Sequence, residues 1–120
     1  MTAARLPRGR MAMLGRRPSG RIVLVDGNHE LGCALAECVS AAVAVSSPGE
    51  LPLMAKRLRG AWPCLDLLLV CRPGQDRQVV QRAAEAVGGV VLEVGTESAL
   101  DAAKEVARTI ADAVLEESTA

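Results

Sequence analysis

The chain has 120 residues, half of them hydrophobic, and a formal net charge of zero. This size and composition suit a single domain with one core. Trp62 is the only aromatic residue, which excludes a surface that stacks nucleic-acid bases on aromatic rings. The chain has no apolar run long enough to span a membrane, and its first twenty residues lack the apolar segment of a secretory signal. We therefore expect a cytoplasmic protein.

The amino-terminal segment differs in charge from the rest of the chain. Residues 1–21 contain six arginines and no acidic residue, so the remainder has 8 basic and 14 acidic residues. A segment rich in Arg, Pro and Gly predicts a disordered basic leader over residues 1–20, and nucleic-acid binding is expected nowhere else in the chain. Because Met11 and Met13 are alternative start positions, residues 1–12 need not belong to the native protein.

Beyond the leader, short runs of β-branched and aliphatic residues alternate with segments of helical periodicity. The runs are Ile22–Val25, Val43–Val45, Leu67–Cys71 and Val90–Val94. This βαβα pattern predicts an α/β fold, a four-stranded parallel sheet with helices on both faces. The expected strand order is the flavodoxin-like 2-1-3-4. Residues 21–117 should form one α/β domain, and residues 118–120 a frayed tail.

Four helices are predicted from the periodicity and from capping signals. They cover Glu30–Ser40, a segment that opens at Ser47, Gln75–Val87, and a segment that opens near Ser98. Ser47 should cap the second helix, with Glu50 completing a capping box. Ser98 and Asp101 form a second box of the same kind, and Gly88 is a typical residue for ending the third helix.

The polar and glycine residues that directly follow the first strand are the main candidates for function. In α/β proteins, ligands bind outside the carboxyl ends of the strands, where the strand order reverses. The candidate ligand-binding residues are Asp26, Gly27, Asn28, His29, Gly32, Cys71 and Thr96. We expect the loop Asp26–Gly32 to face Cys71–Asp76, with Gly95–Glu97 completing the rim of one shallow crevice. Asp26 is the strongest candidate because a helix N-terminus stabilises a nearby carboxylate, although Asp also caps turns.

Three segments give the chain a family resemblance. They are Arg21-Ile-Val-Leu-Val-Asp26-Gly27-Asn28-His29-Glu30-Leu31, Ala44-Val45-Ser46-Ser47-Pro48-Gly49-Glu50, and Leu65-Asp66-Leu67-Leu68-Leu69-Val70-Cys71 with Pro73-Gly74-Gln75-Asp76. Together they resemble the receiver domain of bacterial response regulators over residues 21–97. The resemblance is one of overall pattern, and it implies a flavodoxin-like fold with a regulatory role.

The departures from the receiver pattern are informative. Receivers hold Mg²⁺ with an acidic pair after the first strand, whereas here Asp26 is followed by Gly27. The position of the family's phosphoacceptor aspartate is Cys71, whose thiol cannot form an acyl phosphate. Thr96 matches the family's hydroxyl residue, but the lysine of the fifth strand has no counterpart. The resemblance therefore implies a truncated, degenerate receiver that does not carry out phosphoryl transfer by the usual route.

Other kinds of site fit the residues less well. Gly27 and Gly32 have the spacing of a phosphate-binding P-loop, but Cys33 and Ala34 stand where Lys and Ser/Thr are needed. The four cysteines form no Cys-x-x-Cys pair and His29 is the only histidine, so we predict no metal site and no cofactor. No Cys-His or Ser-His-Asp set can be assembled without His29, so no catalytic residue is assigned. A thiol next to Arg72 would be reactive only if that cation lowered its pKa.

These observations favour a non-catalytic, receiver-like regulatory or protein-interaction module that is not itself phosphorylated. The alternative is a small nucleotide- or phosphoester-binding α/β domain that uses the Asp26–Gly32 loop. An enzyme is disfavoured but not ruled out by the sequence. The expected partner is a protein. A second copy of the chain is one candidate, because a four-stranded sheet exposes an edge beside Val90–Val94.

Overall fold

The computed structural model describes residues 11–15 and 20–119, with side chains up to residue 113. Its strands are β1 (Met11–Gly15), β2 (Arg21–Asp26), β3 (Ala42–Ser46), β4 (Asp66–Cys71) and β5 (Val90–Glu93). Its helices are α1 (His29–Cys38), α2 (Leu51–Ala61), α3 (Arg77–Val87) and α4 (Ala99–Thr119). The strands form one mixed sheet in the order β1-β3-β2-β4-β5, in which β1 is antiparallel to β3 and the other neighbours are parallel.

The predicted α/β class is confirmed, but the predicted four-stranded parallel sheet in the order 2-1-3-4 is wrong. The sheet has five strands, because Met11–Gly15 pairs along β3 instead of belonging to a disordered leader. Met11 packs against the core on one face of the sheet and Leu14 against the core on the other, which explains why this short run is held. The rest of the predicted leader, residues 1–10 and 16–19, lies outside the described residues.

The core has two layers, one on each face of the sheet. Alternate residues of β2 point to opposite faces, so Ile22 and Leu24 pack with α2 and α3, while Val23 and Val25 pack with α1 and α4. All four side chains are almost completely buried, as expected for a central parallel strand covered by helices on both sides. None of the described helices is long and apolar enough to cross a membrane.

The helix ends follow some of the predicted capping signals and not others. The Asp101 N–H donates to Ser98 Oγ at 3.4 Å, and α3 ends at Gly88 with a φ of 66°, as predicted. The capping box of Ser47 and Glu50 is wrong, because α2 begins at Leu51 and Glu50 makes no side-chain capping bond. Ser47 is instead buried in the turn, where its carbonyl accepts the Glu50 N–H. Helix α4 continues to Thr119, while fraying of residues 118–120 stays a prediction.

Candidate functional site

Asp26, the last residue of β2, forms hydrogen bonds with the loop that follows the neighbouring strand. Its Oδ1 accepts hydrogen bonds from Ser46 Oγ at 3.1 Å and from the Gly49 N–H at 2.9 Å. Ser46 is completely buried at the end of β3. We call Asp26, Ser46 and Gly49 the Asp26 clasp. The carboxylate therefore holds two loops together, whereas the sequence suggested either a ligand contact or a cap of its own turn.

Gly27 allows the same two loops to approach closely. Its N–H donates to the Ser46 carbonyl at 2.9 Å, and its φ of 64° lies in the left-handed region. A Cβ atom at this position would lie only 2.9 Å from Pro48 Cα, closer than carbon atoms pack. Glycine is therefore required both by the turn and by the contact with Pro48.

The next two polar residues begin helix α1. Asn28 is the N-cap, its Oδ1 accepts the Leu31 N–H at 2.8 Å, and its carbonyl accepts the Gly32 N–H at 3.0 Å. His29 is the first residue of the helix and is exposed. Across the described ranges, residues 11–15 and 20–119, no group of three or more His, Cys, Asp or Glu residues is arranged to hold a metal ion. Asn28 thus has a structural partner, and His29 has no metal-binding neighbours there.

Gly32 faces the sheet and is buried. A methyl group at this position would overlap Val45 Cγ2 and lie 3.2 Å from Leu14 Cδ1. The absence of a side chain therefore lets α1 pack closely on β1 and β3. A P-loop glycine instead brings its backbone next to a phosphate, which the buried position of Gly32 does not favour.

Cys71 ends β4 and is only 6% exposed. Burial raises the pKa of its thiol, and the negative charges of Glu93 and Asp76 raise it further, against an opposing effect from Arg77. The guanidinium of Arg72 donates to the Glu97 carbonyl at 3.0 Å, in the loop after β5. These surroundings therefore favour the protonated thiol over the nucleophilic thiolate.

A crevice of about 370 Å³ opens at the carboxyl ends of β4 and β5. It is lined by Cys71, Arg72, Pro73, Gly74, Gln75, Arg77, Glu93, Val94 and Gly95. None of the residues Asp26–Gly32 lines it, and neither does Thr96, whose Oγ1 accepts the Ser98 N–H at 3.3 Å. The crevice thus joins the second and third of the predicted loops, while Asp26 is engaged with the loop after β3.

Strand β5 forms one edge of the sheet, and no sequence motif shows which of its residues face outward. The Val94 N–H donates to the Cys71 carbonyl at 3.0 Å, so the backbone groups of Val94 and Leu92 point toward β4. Because successive residues of a strand alternate, those of Val91 and Glu93 point away from the sheet. No other strand in the described part of the chain pairs with this side of β5. Sequence reasoning predicted an edge here but could not assign which residues face outward, because that depends on the register with β4.

No protein-family model, no curated protein and no solved structure matches this chain. The likeness to receiver domains therefore rests on the pattern of the sequence alone. The features of the chain that bear on its function are the Asp26 clasp, the buried thiol of Cys71 and the edge strand β5.

Proposed function

We propose that this chain is a non-catalytic, receiver-like regulatory module that acts through protein contacts and is not itself phosphorylated. The observation that carries the proposal is the Asp26 clasp. The carboxylate at the end of the central strand already accepts two hydrogen bonds from the chain itself. It is therefore used to hold the fold together, at the position where the resemblance would place a metal-binding acid.

The residue at the end of β4 supports the same conclusion. Transfer of a phosphoryl group to a receiver requires a carboxylate nucleophile and a Mg²⁺ ion held by acidic side chains. Cys71 provides a thiol instead, and burial and nearby negative charges raise its pKa. Since the thiolate is the nucleophilic form of cysteine, this position is poorly suited to accept any electrophilic group.

The contacts of the first loop favour this function over nucleotide binding. Gly27 packs against Pro48, Asn28 caps α1, and Gly32 packs against Val45. Both glycines of the P-loop-like spacing, and Asn28 between them, thus have roles within the fold. The basic side chain that would contact a phosphate is also missing, because Cys33 stands at that position.

Incubation with a small phosphodonor and Mg²⁺ tests the absence of phosphorylation. We expect the intact mass of the chain to stay unchanged while a phosphorylatable response regulator in the same tube gains one phosphoryl group. A gain of mass equal to one phosphoryl group on this chain would contradict the proposal.

Thermal unfolding with ATP or GTP, with and without Mg²⁺, tests the nucleotide-binding alternative. We expect no change in Tm. A rise in Tm that His29→Glu abolishes and His29→Gln keeps would favour nucleotide binding, because the added carboxylate repels phosphate at the loop. His29 is suited to this test because it is exposed, whereas a substitution at Gly32 would disturb packing.

A further inference from the structure

We propose that the β5 edge is a homodimer interface, in which two copies of this chain pair their β5 strands antiparallel about a two-fold axis. The inference rests on the proposed function, since it names the partner of that protein-contact module as a second copy. The surface consists of the outward-facing backbone of Val91 and Glu93 and the side chains of Val90 and Leu92. Edge strands with free backbone groups are templates for pairing with another strand.

The direction of the backbone groups limits the register of such a pair. In an antiparallel pair, residues whose backbone groups face each other exchange two hydrogen bonds. A two-fold axis at Leu92 places Val91 opposite Glu93 of the second copy, on both sides of the axis. All the outward-facing groups of β5 are then paired. An axis at Val91 pairs only one residue within the strand, and an axis at Glu93 sets two carboxylates against each other.

The side chains fit the register centred on Leu92. On the face covered by α1 and α4, Leu92 meets Leu92 of the second copy, and Val90 lies opposite Val94 of that copy. Val90 is 56% exposed and Leu92 is partly exposed in the single chain. Cross-strand pairs of β-branched and aliphatic residues stabilise antiparallel strands, and here they also cover exposed apolar surface.

The charges at the edge are compatible with a second copy. Glu93 is the only charged residue of β5, and Arg77 of α3 forms an ion pair with it at 2.6 Å. An unpaired edge carboxylate would discourage pairing, but this one is neutralised by its own chain. With the axis at Leu92, the two Glu93 residues lie diagonally across the axis rather than directly opposite each other, and each keeps its own Arg77 as a counter-charge. A formal net charge of zero also leaves little long-range repulsion between copies.

Substitution of Glu93 by proline tests the backbone pairing directly. Because the N–H of residue 93 faces outward, Glu93→Pro leaves the bonds to β4 intact, and proline is tolerated in strands at such edge positions. The matched control is Glu93→Ala, which removes the ion pair with Arg77 but keeps the N–H. Sedimentation of the full chain over a range of concentrations should show a monomer–dimer equilibrium for the wild type. The Kd should stay within about threefold in Glu93→Ala and rise about tenfold or more in Glu93→Pro.

Amide hydrogen exchange of the wild-type chain supplies a second measurement, which does not depend on the folding of a variant. The amides of Val91 and Glu93 should exchange more slowly as the protein concentration rises. A chain that stays monomeric at high concentration would overturn the inference, as would a dimer in which these two amides are not slowed. Either result leaves the proposed function standing with a different partner, whereas uptake of phosphate would remove the proposed function and leave the dimer untouched.

Discussion

The Asp26 clasp and the β5 edge differ in a way that the sequence does not suggest. The clasp lies in the most polar and motif-like segment of the chain, yet its carboxylate and the adjacent turn bond to the chain itself. The β5 edge has an ordinary apolar sequence, yet the backbone of Val91 and Glu93 faces away from the sheet. A polar cluster at a strand end therefore indicates a binding site only if its groups are not already used by the fold.

Replacing Gly32 by alanine should have the largest effect on stability. The new methyl group would overlap Val45 Cγ2, and α1 must move away from the sheet to accommodate it. Overpacking of this kind costs about 3 kcal/mol in the free energy of unfolding. Urea unfolding followed by circular dichroism would measure the loss.

Gly60 provides the matched control, because it is also a helical glycine but a Cβ atom added to it would have no neighbouring atom within 4 Å. Gly60→Ala should leave stability unchanged or raise it by up to about 1 kcal/mol, since alanine is the better helix former. If Gly32→Ala changed stability no more than Gly60→Ala does, α1 would not be packed closely on β3. The interpretation of Gly32 as a packing residue would then fail.

Replacing Asp26 by asparagine should lower stability by a smaller amount. Asparagine has the same shape but carries no charge, so the bonds from Ser46 and Gly49 become weaker. We expect a loss of about 1–2 kcal/mol. Glu37→Gln, a similar charge removal on the exposed side of α1, should change stability by less than about 0.5 kcal/mol. An unchanged or increased stability in Asp26→Asn would instead indicate a residue kept for ligand binding at a cost in stability.

The strands and helices were largely predictable because their apolar periodicity is local. The four parallel strands fall at the predicted runs, and α1 and α3 lie within two residues of the predicted bounds. Strand β1 was not predictable in the same way. Met11–Gly15 is a five-residue run in an Arg-rich context, and it is a strand because β3 offers a free side for pairing and the two cores offer apolar contacts. Such pairing depends on tertiary contacts and leaves no periodic signal.

The partners of individual polar groups could not be predicted for the same reason. Arg59 is an example, because no sequence motif indicates the groups that it contacts. Its Nε donates to the Val87 carbonyl at 2.7 Å, and its Nη1 donates to the carbonyls of Pro63 at 2.9 Å and Leu65 at 2.7 Å. One guanidinium thus connects the end of α3 with the loop after α2. In the sequence, Arg59 looks like any other basic residue of a helix.

Replacing Cys71 by alanine should have the smallest effect, which is on the pH dependence of the free energy of unfolding. Because burial raises the pKa of its thiol, the folded chain retains the proton more strongly than the unfolded chain, whose thiol has the ordinary pKa of 9.0. The contribution of the protonated Cys71 thiol to the free energy of unfolding is therefore complete below the unfolded pKa, and it is lost as the pH rises through the folded pKa. Between pH 7 and 10, the free energy of unfolding should fall more steeply in the wild type than in Cys71→Ala, by less than about 1.4 kcal/mol per pH unit. Cys33→Ala, at an exposed thiol, should keep the wild-type slope. Equal slopes in all three proteins would mean that the thiol of Cys71 is as accessible to water as that of Cys33, and that this strand end is open to chemistry.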